Sequence, residues 1–407
     1  MEYLNWDDSE NWMTGSGICL WSGVSCHRRH GSPPDEIRYD NNNGVTRLNL
    51  TSNDVRGTLP REIFTALTDL RVLHLDGNEL TGTIPSELGN LGRLEQLHLG
   101  SNFFSGTLPS SAGRLSECRY LFAGDNYLTG TVPTEIGRMS SLTELGLHEN
   151  DLTGNVPTEL GLLGRLDSAY LDSNGLSGTV PTELGRLRSV TDLRLRRNEL
   201  TGTVPTELGN MESLEVLYLD GNGLGGTVPT ELGRLGNLDQ IFLYKNQLTG
   251  TLPTELGLLS DLDHVYLDHN LLTGTIPTEF AGLSDVRDLF LYNNRLTGPI
   301  PPRAVAGMKD LVRLRLHNNT LTGTVPSELG ELSHLVELEL QENGLGGRVP
   351  SELAGLVNLV TLKMHSNGIT GTVPESICDL QSRYRLDEIT TDCASGGVVC
   401  PCCTECV

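Results

Sequence analysis

An asparagine recurs every 24 residues through most of this chain, and that period limits the fold more than any other feature. Asn53, Asn78, Asn102, Asn126, Asn150, Asn174, Asn198, Asn222, Asn246, Asn270, Asn294, Asn319, Asn343 and Asn367 form the ladder. Only two steps are of 25 residues, Asn53 to Asn78 and Asn294 to Asn319. A proline holds the same phase seven residues later, from Pro60 to Pro374. A unit this short cannot bury its apolar side alone, so its copies must stack and share one long core. The 407 residues would suggest two or three domains by length, but an unbroken repeat overrides that prior.

One copy, Leu214 to Asn237, reads LEVLYLDGNGLGGTVPTELGRLGN. Leu217 and Leu219 alternate with Tyr218, the pattern of a strand whose leucines face inward. Stacked copies then place about 14 such strands in parallel on a concave sheet. Asn222 turns inward, where its amide can satisfy backbone groups of adjacent turns. The TELG segment predicts a short helical turn of the tighter 3₁₀ kind on the convex side. In eleven copies a glutamate lies two residues after the proline, as in Pro229-Thr230-Glu231. The reading is of a helix start with the hydroxyl as cap and the carboxylate at the positive helix end.

The LxxLxLxxN and LxGxxP halves together resemble the plant-specific class of leucine-rich repeat. That class is found in receptor-kinase ectodomains, receptor-like proteins and polygalacturonase inhibitors. The resemblance runs from about Val45 to Pro374 and implies an α/β solenoid, with a second short strand at the LTG segment. The expected organisation is an N-terminal cap over 1–44, the solenoid over 45–375 and a cysteine-rich cap over 376–407. The stretch Cys19-Leu20-Trp21-Ser22-Gly23-Val24-Ser25-Cys26, after Trp12, resembles the paired-cysteine cap of the same class. A Cys19–Cys26 bridge is implied by that likeness. The late cysteines, Cys378, Cys393, Cys400, Cys402, Cys403 and Cys406, could bind zinc or form three disulfides; an oxidising context favours disulfides, and fifteen pairings are open. The ending is similar to that of cysteine-tailed repeat proteins of diatoms and related algae. Cys118 takes the place of a core leucine.

Charge narrows the partners. The net charge is −23, from 29 basic and 52 acidic side chains, so nothing would neutralise the phosphates of a nucleic acid. No run of 18 apolar residues exists to insert in a membrane, and the N-terminus does not resemble a signal peptide. The cysteines nevertheless point to an extracellular or cell-surface setting, with any targeting or anchor segment outside this sequence. Two irregularities are expected to be local: a bulge on the outer side near residues 302–310, and thinner packing at Ala123 and Ala169.

Specificity must lie where the repeat leaves the residue free. Four columns of the sheet qualify, at six, four, two and one residues before each asparagine. They hold nine of the chain's twenty Phe, Trp and Tyr residues, about threefold over a uniform spread. The candidate ligand-binding residues are Tyr170, Asp172, Arg194, Arg196, Tyr218, Asp220, Phe242, Tyr244, Tyr266, Asp268, Phe290 and Tyr292. Rigid aromatics with interleaved charges suit a specific interface; they also suit strands that stack on one another. Asn49-Leu50-Thr51 and Asn318-Asn319-Thr320 are glycosylation sequons. No nucleophile, phosphate-binding loop or metal-ligand set appears, so the expectation is a non-enzymatic module without cofactor or metal. It would bind a protein or peptide in receptor-like signalling or defence. The alternatives are a secreted inhibitor of a glycan-degrading hydrolase, and a structural or ice-interacting solenoid using the Thr-Gly-Thr ladder.

Overall fold

The computed structural model describes residues 38–39, 45–393 and 397–407. Cys19, Cys26, Trp12 and Trp21 lie outside the described residues, as does the expected N-terminal cap apart from two residues. The chain forms two compact units, Met1–Leu200 and Thr201–Val407.

In the first unit, Val45–Asn49 is followed by three-residue strands such as Val72–His74, Gln96–His98 and Tyr120–Phe122. They pair in parallel with one register, Leu73 to Leu97 to Leu121. Arg38–Tyr39 closes the start by pairing antiparallel with Val45–Asn49. A second parallel sheet is made by the LTG segments, among them Glu79–Thr83, Phe103–Thr107 and Tyr127–Thr131. In the second unit, Leu217, Ile241, Val265, Leu289, Leu314, Leu338 and Leu362 follow the same rule. Between the sheets and the 3₁₀ turns lies a leucine core, mostly fully buried. Each unit is thus a leucine-rich-repeat solenoid.

The asparagine behaves as its chemistry demands. Asn246 donates from Nδ2 to the carbonyls of Leu219 (3.0 Å), Leu243 (3.1 Å) and Tyr244 (3.3 Å). Its Oδ1 accepts from the Leu224 amide at 3.0 Å. The residue before it, Lys245, has φ +51°, in the left-handed region, and its counterparts share that value closely. One of the four variable columns is therefore bent into the turn.

The Thr-Gly-Thr ladder has an internal purpose. Thr249 and Thr273 donate to the carbonyls of Gly226 and Gly250 at 3.1 Å. Gly250 has φ +75°, and a Cβ there would come within 2.7 Å of the Thr227 methyl. The first threonine of each of these units thus bonds its hydroxyl to the neighbouring rung, and the glycine leaves room for the methyl of the threonine below.

The helical turns correct two expectations. Ser86–Asn90, Thr230–Arg234 and their equivalents are 3₁₀ helices as predicted, but the N-cap is the proline and no side chain caps it. The threonine is the first helical residue, and Thr230 Oγ1 donates instead to its neighbour Glu231 at 3.3 Å. Proline's fixed φ and missing N–H suit it to a helix start, which displaces the hydroxyl from the capping position. The glutamate does lie in the first turn. Nor is there a bulge at residues 302–310. The extra residue is absorbed by a six-residue α-helix, α2 (Pro302–Gly307), in place of a 3₁₀ turn. The other 25-residue step does the same with α1 (Arg61–Ala66).

The late cysteines pair as Cys378–Cys402, Cys393–Cys406 and Cys400–Cys403. The first anchors α3 (Glu375–Arg383) to the final turn. Cys118 is free and buried, and burial pushes its thiol up to about 12, so it is inert packing.

Candidate ligand-binding face

Register turns one sequence column into one stack. In the second unit the rings of Tyr218, Phe242, Tyr266 and Phe290 lie face to face, with centroids 4.2, 4.3 and 4.4 Å apart and planes within 9°. Face-to-face rings are not the arrangement the π quadrupole prefers; in-register strands impose it. The ring faces are spent on one another. What the stack presents is a row of ring edges, with hydroxyls at Tyr218 and Tyr266 bonded to Gln240 and Asp288. Arg315 and Arg313 sit 4.7 and 5.3 Å from the Phe290 centroid and close the end by cation–π contact.

Beside it runs a second file. Tyr244 packs against Phe242 and Tyr266 at 6.3 Å, and Tyr292 stacks on His317 at 4.3 Å. Burial pushes the Tyr292 phenol up to about 12, and the adjacent Asp268 carboxylate adds to it.

Asp288 is the electrostatic centre of this unit's face. Its carboxylate, 2% exposed, accepts from Arg313 Nε at 2.6 Å and lies 3.0 Å from His264 Nδ1. Burial alone would raise its pKa; His264, Arg313 and Tyr266 together outweigh it and hold it well below the usual carboxylate range. His264 is raised in turn, first by its hydrogen bond to Asp288. Further along, Arg315 bonds Glu337 at 2.6 Å, and Lys363 lies between Glu339 (3.5 Å) and Glu388 (3.2 Å).

Asp220 and Asp268 are not presented to a ligand. They are 1% and 3% exposed, and Asp268 Oδ2 holds His269 Nδ1 at 2.8 Å. Phe290 is buried too. These residues support the face from beneath.

In the first unit, Tyr170 carries the Arg194 guanidinium 4.9 Å from its ring, and Arg194 clasps Asp192 at 2.6–3.0 Å. Arg196 reaches the buried Asp172 at 3.4 Å. The sequence reading missed a second stack here. His74 and His98 stack at 4.0 Å, and Phe122 meets His98 edge-on at 5.0 Å. Three consecutive rings in one column were the available signal. Of the sequon residues, Asn318 is exposed but its Nδ2 already donates to Asn293 Oδ1 at 2.5 Å. Asn49 is half-buried and accepts from the Thr51 amide at 3.1 Å.

The histidine pair carries a pH prediction. Burial lowers His98 from 6.5 to about 4, with the His74 charge adding to it, and burial lowers His74 as well. A folded value below the unfolded one gives stability that is whole above 6.5 and lost as pH falls towards 4. The loss is expected to be on the order of 2 kcal/mol for His98. Urea melts at pH 7.5 and 4.5 check it; His98→Phe should flatten the dependence, and an unchanged slope would contradict it.

Among the described residues no cluster of His, Cys, Asp and Glu is placed to hold a metal. No helix there is long and apolar enough to cross a membrane.

Leucine rich repeat models match residues 43–104, 213–235, 260–321 and 358–380. A Leptospira interrogans LRR protein, LIC12759, is 36% identical, with 84% of this chain and 83% of that one covered and a TM-score of 0.68. The plant peptide hormone receptor RGFR1, solved in complex with RGF2, is 29% identical with a TM-score of 0.71, covering 88% of this chain and 67% of that one. A plant ice-binding protein is 29% identical with a TM-score of 0.53, covering 65% and 82%. Curated plant relatives from Arabidopsis thaliana and Oryza sativa, receptor kinases among them, are 34–36% identical over 75–102 residues. The match spans only 7–11% of their length. In repeat, register and likeness alike, the chain belongs to the leucine-rich repeat family, and plant receptor ectodomains are among the structures it resembles.

Proposed function

We propose that this chain is an extracellular or cell-surface recognition module that binds a peptide or protein ligand across the sheet face. The carrying observation is the stack of Tyr218, Phe242, Tyr266 and Phe290, bordered by Tyr244, Tyr292 and the Arg313–Asp288–His264 cluster. Such a surface offers rigid apolar edges for side chains and fixed polar groups for a peptide backbone. Tyr170, Arg194 and Arg196 are assigned the same role on the first unit, with Asp172, Asp220 and Asp268 positioning their neighbours. The peptide hormone receptor among the structural neighbours supports this ligand class. Three disulfides support an oxidising compartment.

The test is selection of a displayed peptide library on the native protein. Replacement of Tyr218, Phe242 and Tyr266 by alanine should weaken the selected peptides by more than about 30-fold, as for loss of central aromatic anchors. Circular dichroism must show the variant folded. Equal capture by both proteins would end the proposal. A hydrolase-inhibitor role would use the same face and show as inhibition in a panel of glycan-degrading enzymes.

The ice-binding neighbour favours a second reading, a solenoid that meets ice through the Thr-Gly-Thr ladder. Against it, the hydroxyls of Thr249 and Thr273 are already donated to carbonyls of neighbouring rungs. Thermal hysteresis in a freezing assay would establish it.

A further inference from the structure

One column of the repeat changes character without any demand from the fold. The residue seven before each asparagine is polar or charged from Arg71 through Glu95, Asp239 and Asp263 to Arg287. It then becomes Val312, Val336 and Val360 in three successive rungs. These valines are half-buried, so they are not core residues whose burial the solenoid requires. They floor an open groove of about 480 Å³ in the second unit, whose lining includes none of the stacked rings. That volume is within the range of ligand sites.

The two ends of the groove are cationic on a chain whose net charge is −23. Arg287 is mostly exposed, and among the described residues its guanidinium pairs at 3.5 Å with Asp263 alone. Arg385, exposed at the far end, has no ion-pair or hydrogen-bond partner among the described residues. The lining has one carboxylate, Asp310, which faces His334 at 3.6 Å. Four strand pairings separate the two arginines' rungs, or about 19 Å at roughly 4.8 Å per strand. An extended chain of about seven residues covers that span, at roughly 3.3 Å per spacing.

We propose that the Val312–Val336–Val360 groove is a second binding site, for an extended peptide segment with apolar side chains at alternate positions and a carboxylate at each end. Valines take the apolar side chains, and Arg287 and Arg385 take the carboxylates. The site goes beyond the aromatic face and does not depend on it.

The probe is a fluorescein-labelled heptapeptide of the pattern Asp-Ser-Leu-Ser-Leu-Ser-Glu, whose acidic ends and leucines share one face when extended, measured by anisotropy against the same peptide with Asn and Gln ends. Acid ends should tighten binding at least tenfold. Val336→Asp and Arg385→Glu should each weaken it at least tenfold. Aspartate is tolerated in that column, as Asp239 and Asp263 show, so the first variant remains folded. The alanine variant of Tyr218, Phe242 and Tyr266 should bind the probe as the native protein does, which separates this site from the aromatic face. No anisotropy rise, equal binding of the amide-ended peptide, or unchanged binding by both groove variants would overturn the proposal.

Discussion

Replacing Asn246 with alanine is expected to destabilise the second unit by about 2–4 kcal/mol. The amide makes four bonds to backbone: donations to Leu219, Leu243 and Tyr244 and acceptance from Leu224. Alanine removes them all; the carbonyls of Leu219, Leu243 and Tyr244 keep donors in Asn222, Asn270 and the Gly221 amide, but the buried Leu224 amide loses its partner, at roughly 1–3 kcal/mol, and the lost donations add to that. Water cannot readily enter to replace it, because Asn246 is 9% exposed and the leucines beside it are fully buried. Asn246→Asp should fare no better. It keeps the acceptor for the Leu224 amide, loses both donors and turns a charge towards three carbonyls. Since rungs contact mainly their neighbours, hydrogen exchange should rise first at Leu224 and Leu248 and spread little further. A loss below 1 kcal/mol would mean that the ladder is decoration.

That ladder was legible in the sequence because its cause is repeated within every rung. A single copy states the need for an inward amide, and thirteen others repeat it. Lys245 was not legible in the same way. Its column looked free because it varies, yet its φ of +51° makes it part of a turn, and side-chain variety there says little about contact. Asp220 and Asp268 misled similarly: strand alternation places them on the sheet face, but both are almost fully buried. Thr230 looked like a cap because hydroxyls cap helices, and the proline before it took the position. The stack from Tyr218 to Phe290 was readable as a column, whereas its use of ring faces for self-stacking required the register. The valine groove lay deeper still. Its floor can be read down a column, but Arg385 belongs to the cap, where the 24-residue count no longer holds.

Arg313→Ala is the second large effect expected, and it tests whether the charged cluster at the end of the stack is structural support for the face. The substitution leaves the Asp288 carboxylate, 2% exposed, with His264 and Tyr266 as its remaining side-chain partners. Removing one member of a buried pair costs about 3–5 kcal/mol; because Arg313 is itself 38% exposed and screened, about 2–4 kcal/mol is expected. The pH dependence gives a signature that lost packing alone would not. In the native protein the Asp288 pKa is depressed, so its contribution is present above the usual 3.8 and is lost as pH falls through the folded value. Without Arg313 the depression is smaller. The stability gap between the two proteins should therefore be widest near neutrality and narrow below about pH 4. His264 acts in the opposite sense: its raised pKa gives stability that is whole below 6.5 and lost as pH rises through the folded value. Pairing Arg313→Ala with Asp288→Asn should recover part of the loss, since the stranded charge is then gone. A gap that does not change with pH, or a double variant no more stable than the single one, would assign the loss to the guanidinium's packing on Phe290. Full recovery of stability without recovery of peptide capture would place Arg313 in direct contact with the ligand, as an anchor at the end of the aromatic stack.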